Sequence, residues 1–235
     1  MTEQRVPPAG GPDVASLVVG VLGGTGDQGQ GLARRLAAAG NPVIIGSRSA
    51  QRAAAAAAGL GGGPGIRGMT NVDTARAADV VIVAVPWEGH RELLASLVEP
   101  LAGKIVIDTN NYYPQRDGHI PELDSESTTT SELLQAHLPT SKVVKAFNHI
   151  YAAQITTDRR PAGTKARRGL VIAGNDAAAK ATVTQLLDEF GYDTVDAGPL
   201  AESWRIQRDT PGYGPRRTAE ELKRDLAAAK RPLAT

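Results

Sequence analysis

The stretch Leu17-Val-Val-Gly-Val-Leu-Gly-Gly-Thr-Gly-Asp-Gln-Gly29 decides the fold, together with the two segments after it. An apolar run ends in Gly24-x-Gly26-x-x-Gly29. A helix-like segment from Gln30 to Ala39 comes next, closed by Gly40, and a second apolar run, Pro42 to Gly46, ends in Ser47-Arg48. Strand, glycine turn, helix and strand in that order make a dinucleotide-binding βαβ unit. In this reading Gly24 permits a tight turn. Gly26 lets the backbone approach a pyrophosphate, and Gly29 lets the helix pack closely on the strand. The helix N-terminus offers unpaired N–H groups to the phosphates, and Thr25 and Gln28 can add side-chain hydrogen bonds.

An absence sharpens the reading. Between Gln28 and Val72 there is not one Asp or Glu. A site for NAD normally carries an acidic residue about 20 residues past the glycines, on the ribose 2′-hydroxyl. Here that region holds Ser47 and Arg48, with Arg52 one turn later. A hydroxyl and two guanidinium groups suit a 2′-phosphate, through forked, charge-assisted hydrogen bonds. The expected cofactor is therefore NADP(H).

Working outward, strand-length apolar runs alternate with helical stretches. Strands are predicted at 17–23, 42–46, 79–85, 104–109, 142–147, 169–173 and 193–196, with a short one near 66–69. Helices are predicted at 27–39, 49–58, 72–77, 88–99, 130–137, 176–190 and 217–230. Runs such as Val80-Val-Ile-Val-Ala-Val85 suit strands buried on both faces. The expected fold class is α/β, a doubly wound, mostly parallel Rossmann-type sheet with a short C-terminal helical extension. Residues 1–16 read as a disordered, Pro- and Gly-rich arm, 17–200 as the nucleotide-binding domain, and 201–235 as an extension with a helix. Leu60 to Gly65 reads as a flexible loop. Tyr112 to Ser131 reads as a long structureless loop leaving the carboxyl edge of the sheet, either functional or a mobile surface insertion.

Composition excludes several classes. The chain has 235 residues, 41% of them apolar and only 4% aromatic, so its core must be built from Val, Ile, Leu and Ala. A net charge of +1 argues against a general nucleic-acid binder. There is no cysteine, hence no disulfide and no thiol nucleophile. His90, His119, His137 and His149 show no i,i+4 spacing, so no metal site is expected. No apolar run is long enough to span a bilayer and no signal-peptide pattern opens the chain. The expectation is a soluble, cytoplasmic protein acting on a small-molecule substrate, without nucleic-acid or membrane partners.

Three strand ends carry candidate chemistry. The fourth strand ends in Ala84-Val85-Pro86-Trp87-Glu88-Gly89-His90, at the expected switch point of the sheet. Val85 and Pro86 would lie beside the nicotinamide ribose. Trp87 serves either as a flat wall there or as a core anchor, and His90 is expected on the first helical turn. The next strand gives Asp108-Thr-Asn110-Asn-Tyr112-Tyr113, and the sixth gives Lys145-Ala146-Phe-Asn148-His149-Ile-Tyr151. Asn110 and Asn148 can bind the nicotinamide carboxamide or a second substrate, or simply cap and turn the chain. Tyr112, His149 and Tyr151 are candidate proton donors, and Asn148 joins them as a candidate catalytic residue.

These residues carry a resemblance. The chain resembles the NADPH:coenzyme F420 oxidoreductases, and more distantly the cytosolic reductase domain of the STEAP metalloreductases. The resemblance covers about 17–200. It rests on Leu22-Gly-Gly-Thr-Gly-Asp-Gln-Gly29, Ile45-Gly-Ser-Arg48, Gly68-Met69 and Val85-Pro-Trp-Glu88. It rests also on Lys142-Val-Val-Lys-Ala-Phe-Asn148, Ala173-Gly-Asn-Asp176 and Asp196-Ala-Gly-Pro-Leu200. It implies NADP(H) held by Thr25 and Gln28 at the pyrophosphate and by Ser47, Arg48 and Arg52 at the 2′-phosphate. It further implies a deazaflavin (coenzyme F420) or flavin ring stacked over the nicotinamide, and a homodimer. The segment Asp108-Thr-Asn-Asn-Tyr-Tyr looks more like the metalloreductase pattern, and the 114–131 stretch fits neither family well. The functions this leaves are hydride transfer to such a ring, reduction of a small carbonyl or imine, or a non-catalytic NADP(H)-sensing module.

Overall fold

The computed structural model describes residues 13–61, 65–87 and 90–231. The first half alternates strand and helix: β1 (Val19–Leu22), α1 (Asp27–Ala39), β2 (Val43–Ser47), α2 (Ala50–Gly59), β3 (Ile66–Thr70), α3 (Asn71–Ala77), β4 (Val80–Val83), α4 (His90–Ala95) and β5 (Ile105–Asp108). Three short helices, α5 (Pro114–Asp117), α6 (Pro121–Asp124) and α7 (Thr130–His137), lead to β6 (Lys142–Lys145). Then come α8 (Ala152–Thr157), β7 (Gly169–Gly174), α9 (Ala177–Phe190), β8 (Asp193–Asp196), a 3-10 turn at Leu200–Ile206 and α10 (Ala219–Ala228).

Among the described residues, eight strands form one sheet in the order β3-β2-β1-β4-β5-β6-β7-β8. Neighbours pair in parallel except β6 and β7, which run antiparallel with Val144 opposite Gly174 and Lys145 opposite Ala173. The doubly wound expectation holds, with the chain crossing over between β3 and β4.

Period-two alternation sorts the strand residues onto two faces. Val19, Val21, Val80, Ile82 and Ile107 pack with Leu32 and Leu36 of α1 and with Val183, Leu187 and Phe190 of α9. Val81, Val83, Val106 and Val143 face the other way, against Leu94, Leu97, Leu134 and Leu138. Both sets are branched aliphatics, as so few aromatic residues require. The C-terminal part is built in as well: Leu222 and Leu226 of α10 close over Val171, Val195 and Ile206. Among the described residues, no helix is long and apolar enough to cross a membrane.

The structure corrects the sequence reading at three places. The arm expected over 1–16 lies outside the described residues only as far as residue 12. Val14–Ser16 form a 3-10 turn in which Val14 is fully buried and its carbonyl accepts from Asn41 Nδ2 at 2.6 Å. The loop expected at 112–131 is folded: Pro114 and Pro121 each open a helical turn, where proline's fixed φ and missing N–H cost nothing. Thr129 and Glu132 then form a capping box that starts α7. The helix expected at 88–99 is described from His90 to Ala95, with residues 88–89 outside the described set. The glycine loop after Leu60 falls outside it at 62–64.

Candidate active site

The carboxyl ends of β1, β2, β4, β5 and β6 open into one cavity of about 1300 Å³. At its first end, Gly23 makes the tight turn, with φ +72°. The glycine spacing assigns that role to Gly24, which instead sits behind the lining: a Cβ there would meet Val21 O at 2.8 Å and Ile45 Cγ2 at 2.9 Å. Gly29 serves the close packing expected of it, since a Cβ would fall 2.5 Å from Gly24 Cα. Gly26 differs from both. The nearest atom to a Cβ there is 3.8 Å away, so its missing side chain leaves open the space in front of α1. Gly26 is also the N-cap of α1 and brings no side-chain hydrogen bond. The first-turn N–H groups of this helix are therefore left for an anion.

Across β2, the turn after Ser47 places the basic pair. Ser49 Oγ accepts from Arg52 N at 3.3 Å and caps α2, which puts Arg52 on its first turn. Ser47, Arg48 and Arg52 all line the cavity. The two guanidinium groups are exposed and have no carboxylate partner among the described residues.

At the other end, a buried ionic cluster shapes the lining. Lys145 Nζ donates to Asp108 Oδ2 at 3.0 Å, to Thr130 Oγ1 at 2.9 Å and to the Asn110 carbonyl. Ser131 Oγ donates to the same carboxylate oxygen at 2.7 Å. Asp108 Oδ1 accepts from both the backbone N and the Nδ2 of Asn110, at 3.0 and 2.8 Å. Burial works against the Asp108 charge, but the Lys145 ammonium and these donors outweigh it and hold the carboxyl below the usual range. Asn110 is thereby fixed in the cavity wall with its Oδ1 free of protein donors among the described residues. Asn111 and Asn148 are locked to each other: Asn111 Nδ2 donates to Asn148 O at 2.7 Å, and Asn148 Nδ2 to Asn111 Oδ1 at 3.0 Å. Asn148 Oδ1 is buried and has no partner among the described residues.

The structure sorts the remaining candidates. Thr25, Gln28, Val85, Pro86 and Tyr151 line the cavity. The Gln28 amide, expected at a pyrophosphate, donates instead to Phe147 O at 3.1 Å and ties α1 to the end of β6. Ala146 is fully buried behind the lining. Trp87 also lies outside the lining, its ring 4.4 Å from His90, whose Nε2 donates to Val85 O at 2.7 Å.

Two candidate proton donors lie elsewhere. His149 is 3% exposed, and its Nε2 accepts from Val171 N at 2.9 Å, so the ring holds β7. Burial, then the nearby Arg168, lower its pKa to about 3. Tyr112 turns into the insertion, donating to Asp124 Oδ1 at 2.6 Å and accepting from Ile120 N at 3.0 Å.

Sequence reasoning missed Gly23, Asn111, Tyr113, Arg116 and Tyr213 in the lining. The first three adjoin residues that the strand ends and the glycine spacing single out, and Arg116 lies a few positions on. Tyr213 lies in Pro211-Gly-Tyr-Gly-Pro215, a stretch legible only as a helix breaker.

A doubly wound sheet with an open glycine turn, an uncapped helix N-terminus and an arginine couple without carboxylate partners among the described residues suits a dinucleotide with a 2′-phosphate. Residues 18–112 match the family described as NADP oxidoreductase, coenzyme F420-dependent. The chain is 35% identical over 205 residues to the F420-dependent NADP reductase of Methanocaldococcus jannaschii, covering 83% of this chain and 90% of that one. It belongs to the family of F420-dependent NADP reductases. The metalloreductase STEAP3 of Rattus norvegicus is 32% identical over 189 residues, which are 80% of this chain but 35% of that protein. Among solved structures, a protein of Arthrobacter sp. FB24 described as an F420-dependent NADP reductase superimposes with a TM-score of 0.68. It is 31% identical, over 80% of this chain and 87% of that one.

Proposed function

We propose that the protein transfers a hydride between NADPH and coenzyme F420. The observation that carries this reading is the single cavity running from Arg48 and Arg52 past Pro86 to Asn110, Asn148 and Tyr151. At about 1300 Å³ it exceeds the roughly 300–1,000 Å³ of an ordinary small-molecule pocket, which suits a dinucleotide and a second planar ring together. Bound NADPH supplies the hydride. The protein's share is positioning. Ser47, Arg48 and Arg52 fix the 2′-phosphate, the α1 N-terminus fixes the pyrophosphate, and Asn110 offers an acceptor oxygen to the nicotinamide carboxamide, with Asn148 holding the wall beside it through Asn111. Pre-arranged geometry of this kind is a large source of rate, and transfer between stacked rings needs no strong acid at the reacting carbon. That agrees with the removal of His149 and Tyr112 from the cavity. The names of the relatives support the same acceptor.

The test is absorbance-monitored NADPH oxidation with coenzyme F420, FMN, FAD, and simple ketones and imines. F420 should give the highest kcat/KM. Turnover of ketones or imines with none of F420 would replace this reading with a carbonyl or imine reductase.

A further inference from the structure

The far wall of the cavity is closed by a pair of tyrosines from distant parts of the chain. Tyr113 follows β5, and Tyr213 belongs to the segment that returns after the 3-10 turn. Their hydroxyl groups are hydrogen-bonded to each other, and both side chains line the cavity. The Tyr113 ring is clamped by cations: the Arg116 guanidinium lies 4.8 Å from its centroid and that of Arg208 lies 5.8 Å away. Arg116 is itself anchored, donating to Asn111 O at 3.0 Å and to both Asp117 oxygens. Arg208 pairs with Asp209 at 3.0 Å. Each arginine is thus neutralised by its neighbour in sequence, and the cluster orients a ring without presenting net charge.

Two hydroxyl groups carry two protons, and the mutual bond uses one. The second proton stays available to an acceptor atom in the cavity. The pair stands beyond β5, three strand spacings from the arginine couple beyond β2, so it lies on the side of the switch point away from the 2′-phosphate.

We propose that the Tyr113–Tyr213 hydroxyl pair binds the second substrate, donating a hydrogen bond to a carbonyl oxygen on the edge of a planar heterocycle. The proposal rests on the hydride-transfer reading above and adds the element that selects the acceptor. Arg116 and Arg208 act as positioning residues for the Tyr113 ring.

The test uses the full chain and the variants Tyr113→Phe, Tyr213→Phe and the double substitution, which keep the rings and remove the hydroxyl groups. F420 affinity is read from its own fluorescence, NADPH affinity by titration, and KM and kcat from turnover. Each single variant should weaken F420 by roughly three- to tenfold, the worth of one neutral hydrogen bond. NADPH affinity should stay within about twofold, and the double variant should lose little more than either single one, because the two groups act as a unit. Variants that bind F420 like the wild type overturn the proposal, as does a parallel loss of NADPH affinity. A wild-type protein that binds neither F420 nor any flavin overturns the functional reading and takes this proposal with it. The two failures therefore appear in different columns of the experiment.

Discussion

The two halves of the cavity are built by different means. The nucleotide half is local: Gly23 to Gly29 and Ser47 to Arg52 lie on two consecutive strand-to-helix turns, and its chemistry comes from backbone N–H groups and two free guanidinium groups. The acceptor half is assembled from afar. Asp108 meets Lys145, Asn111 meets Asn148, and Tyr113 meets Tyr213. The first half needs little beyond a turn of the right shape. The second depends on the alignment of β5, β6 and the C-terminal segment, where the buried Asp108 and Lys145 charges must meet.

The sharpest way to break that contrast is Gly26→Val. A Cβ at Gly26 meets nothing closer than 3.8 Å, so the variant should fold with an unchanged circular dichroism spectrum while losing detectable NADPH binding. Retained binding would show that the glycine turn is not the nucleotide site. Lys145→Met attacks the other half. It leaves the Asp108 carboxylate buried without its cation, at an expected cost of about 3–5 kcal/mol in urea unfolding. Adding Asp108→Asn should restore part of the loss. Full recovery of stability without recovery of F420 turnover would separate the cluster's structural role from its placement of Asn110.

Arg48→Ala should weaken NADPH by about ten- to a hundredfold, since a hydrogen bond to a charged group is worth roughly 1.5–3 kcal/mol, and should leave NADH nearly unchanged. Equal losses for both nucleotides would make Arg48 structural. The smallest effect is expected from His149. Its pKa, near 6.5 in the unfolded chain, falls to about 3 on folding. The unfolded state therefore takes up a proton that the folded state refuses. Stability should be full above about pH 6.5 and decline as the pH falls toward about 3, by up to about 1.4 kcal/mol per pH unit from this one group. His90, also lowered, chiefly by burial, acts in the same direction. Unfolding curves between pH 7 and 5 should be less steep in pH for His149→Gln, with NADPH affinity unaltered.

The sheet and the nucleotide half are legible in the sequence because both are written in short-range patterns. Branched aliphatic runs fix strands, and glycine spacing fixes the turn. Even there Gly23 and Gly24 exchange roles, since neighbouring glycines carry no sign of which one takes the positive φ. The acceptor half is legible only residue by residue. Asn110 and Asn148 stand out at strand ends, but strand-end position does not say which way a side chain turns. Tyr112 and Tyr113 are adjacent and point apart. His149 follows Asn148, yet it belongs to β7 because the antiparallel strand brings Val171 N against its ring. Tyr213 carries no local signal at all.

The reversal of β7 has a consequence for the chain as it is made. Strands β7 and β8 run away from the cavity edge, so the 3-10 turn and the segment after it must come back before Tyr213 can reach Tyr113. On a ribosome, where folding proceeds from the N-terminus as residues emerge, the pyrophosphate turn and the arginine couple are complete once β4 has been made. The partner of Tyr113 arrives only after β6, β7 and β8 have been added. Helix α1, which carries that turn, is covered only when Val183, Leu187 and Phe190 of α9 have been made. A nascent chain should thus hold NADPH once α9 is out and an acceptor only after Tyr213, and ribosome-stalled chains exposing residues through Asp196 and through Pro215 would capture the two competences in turn.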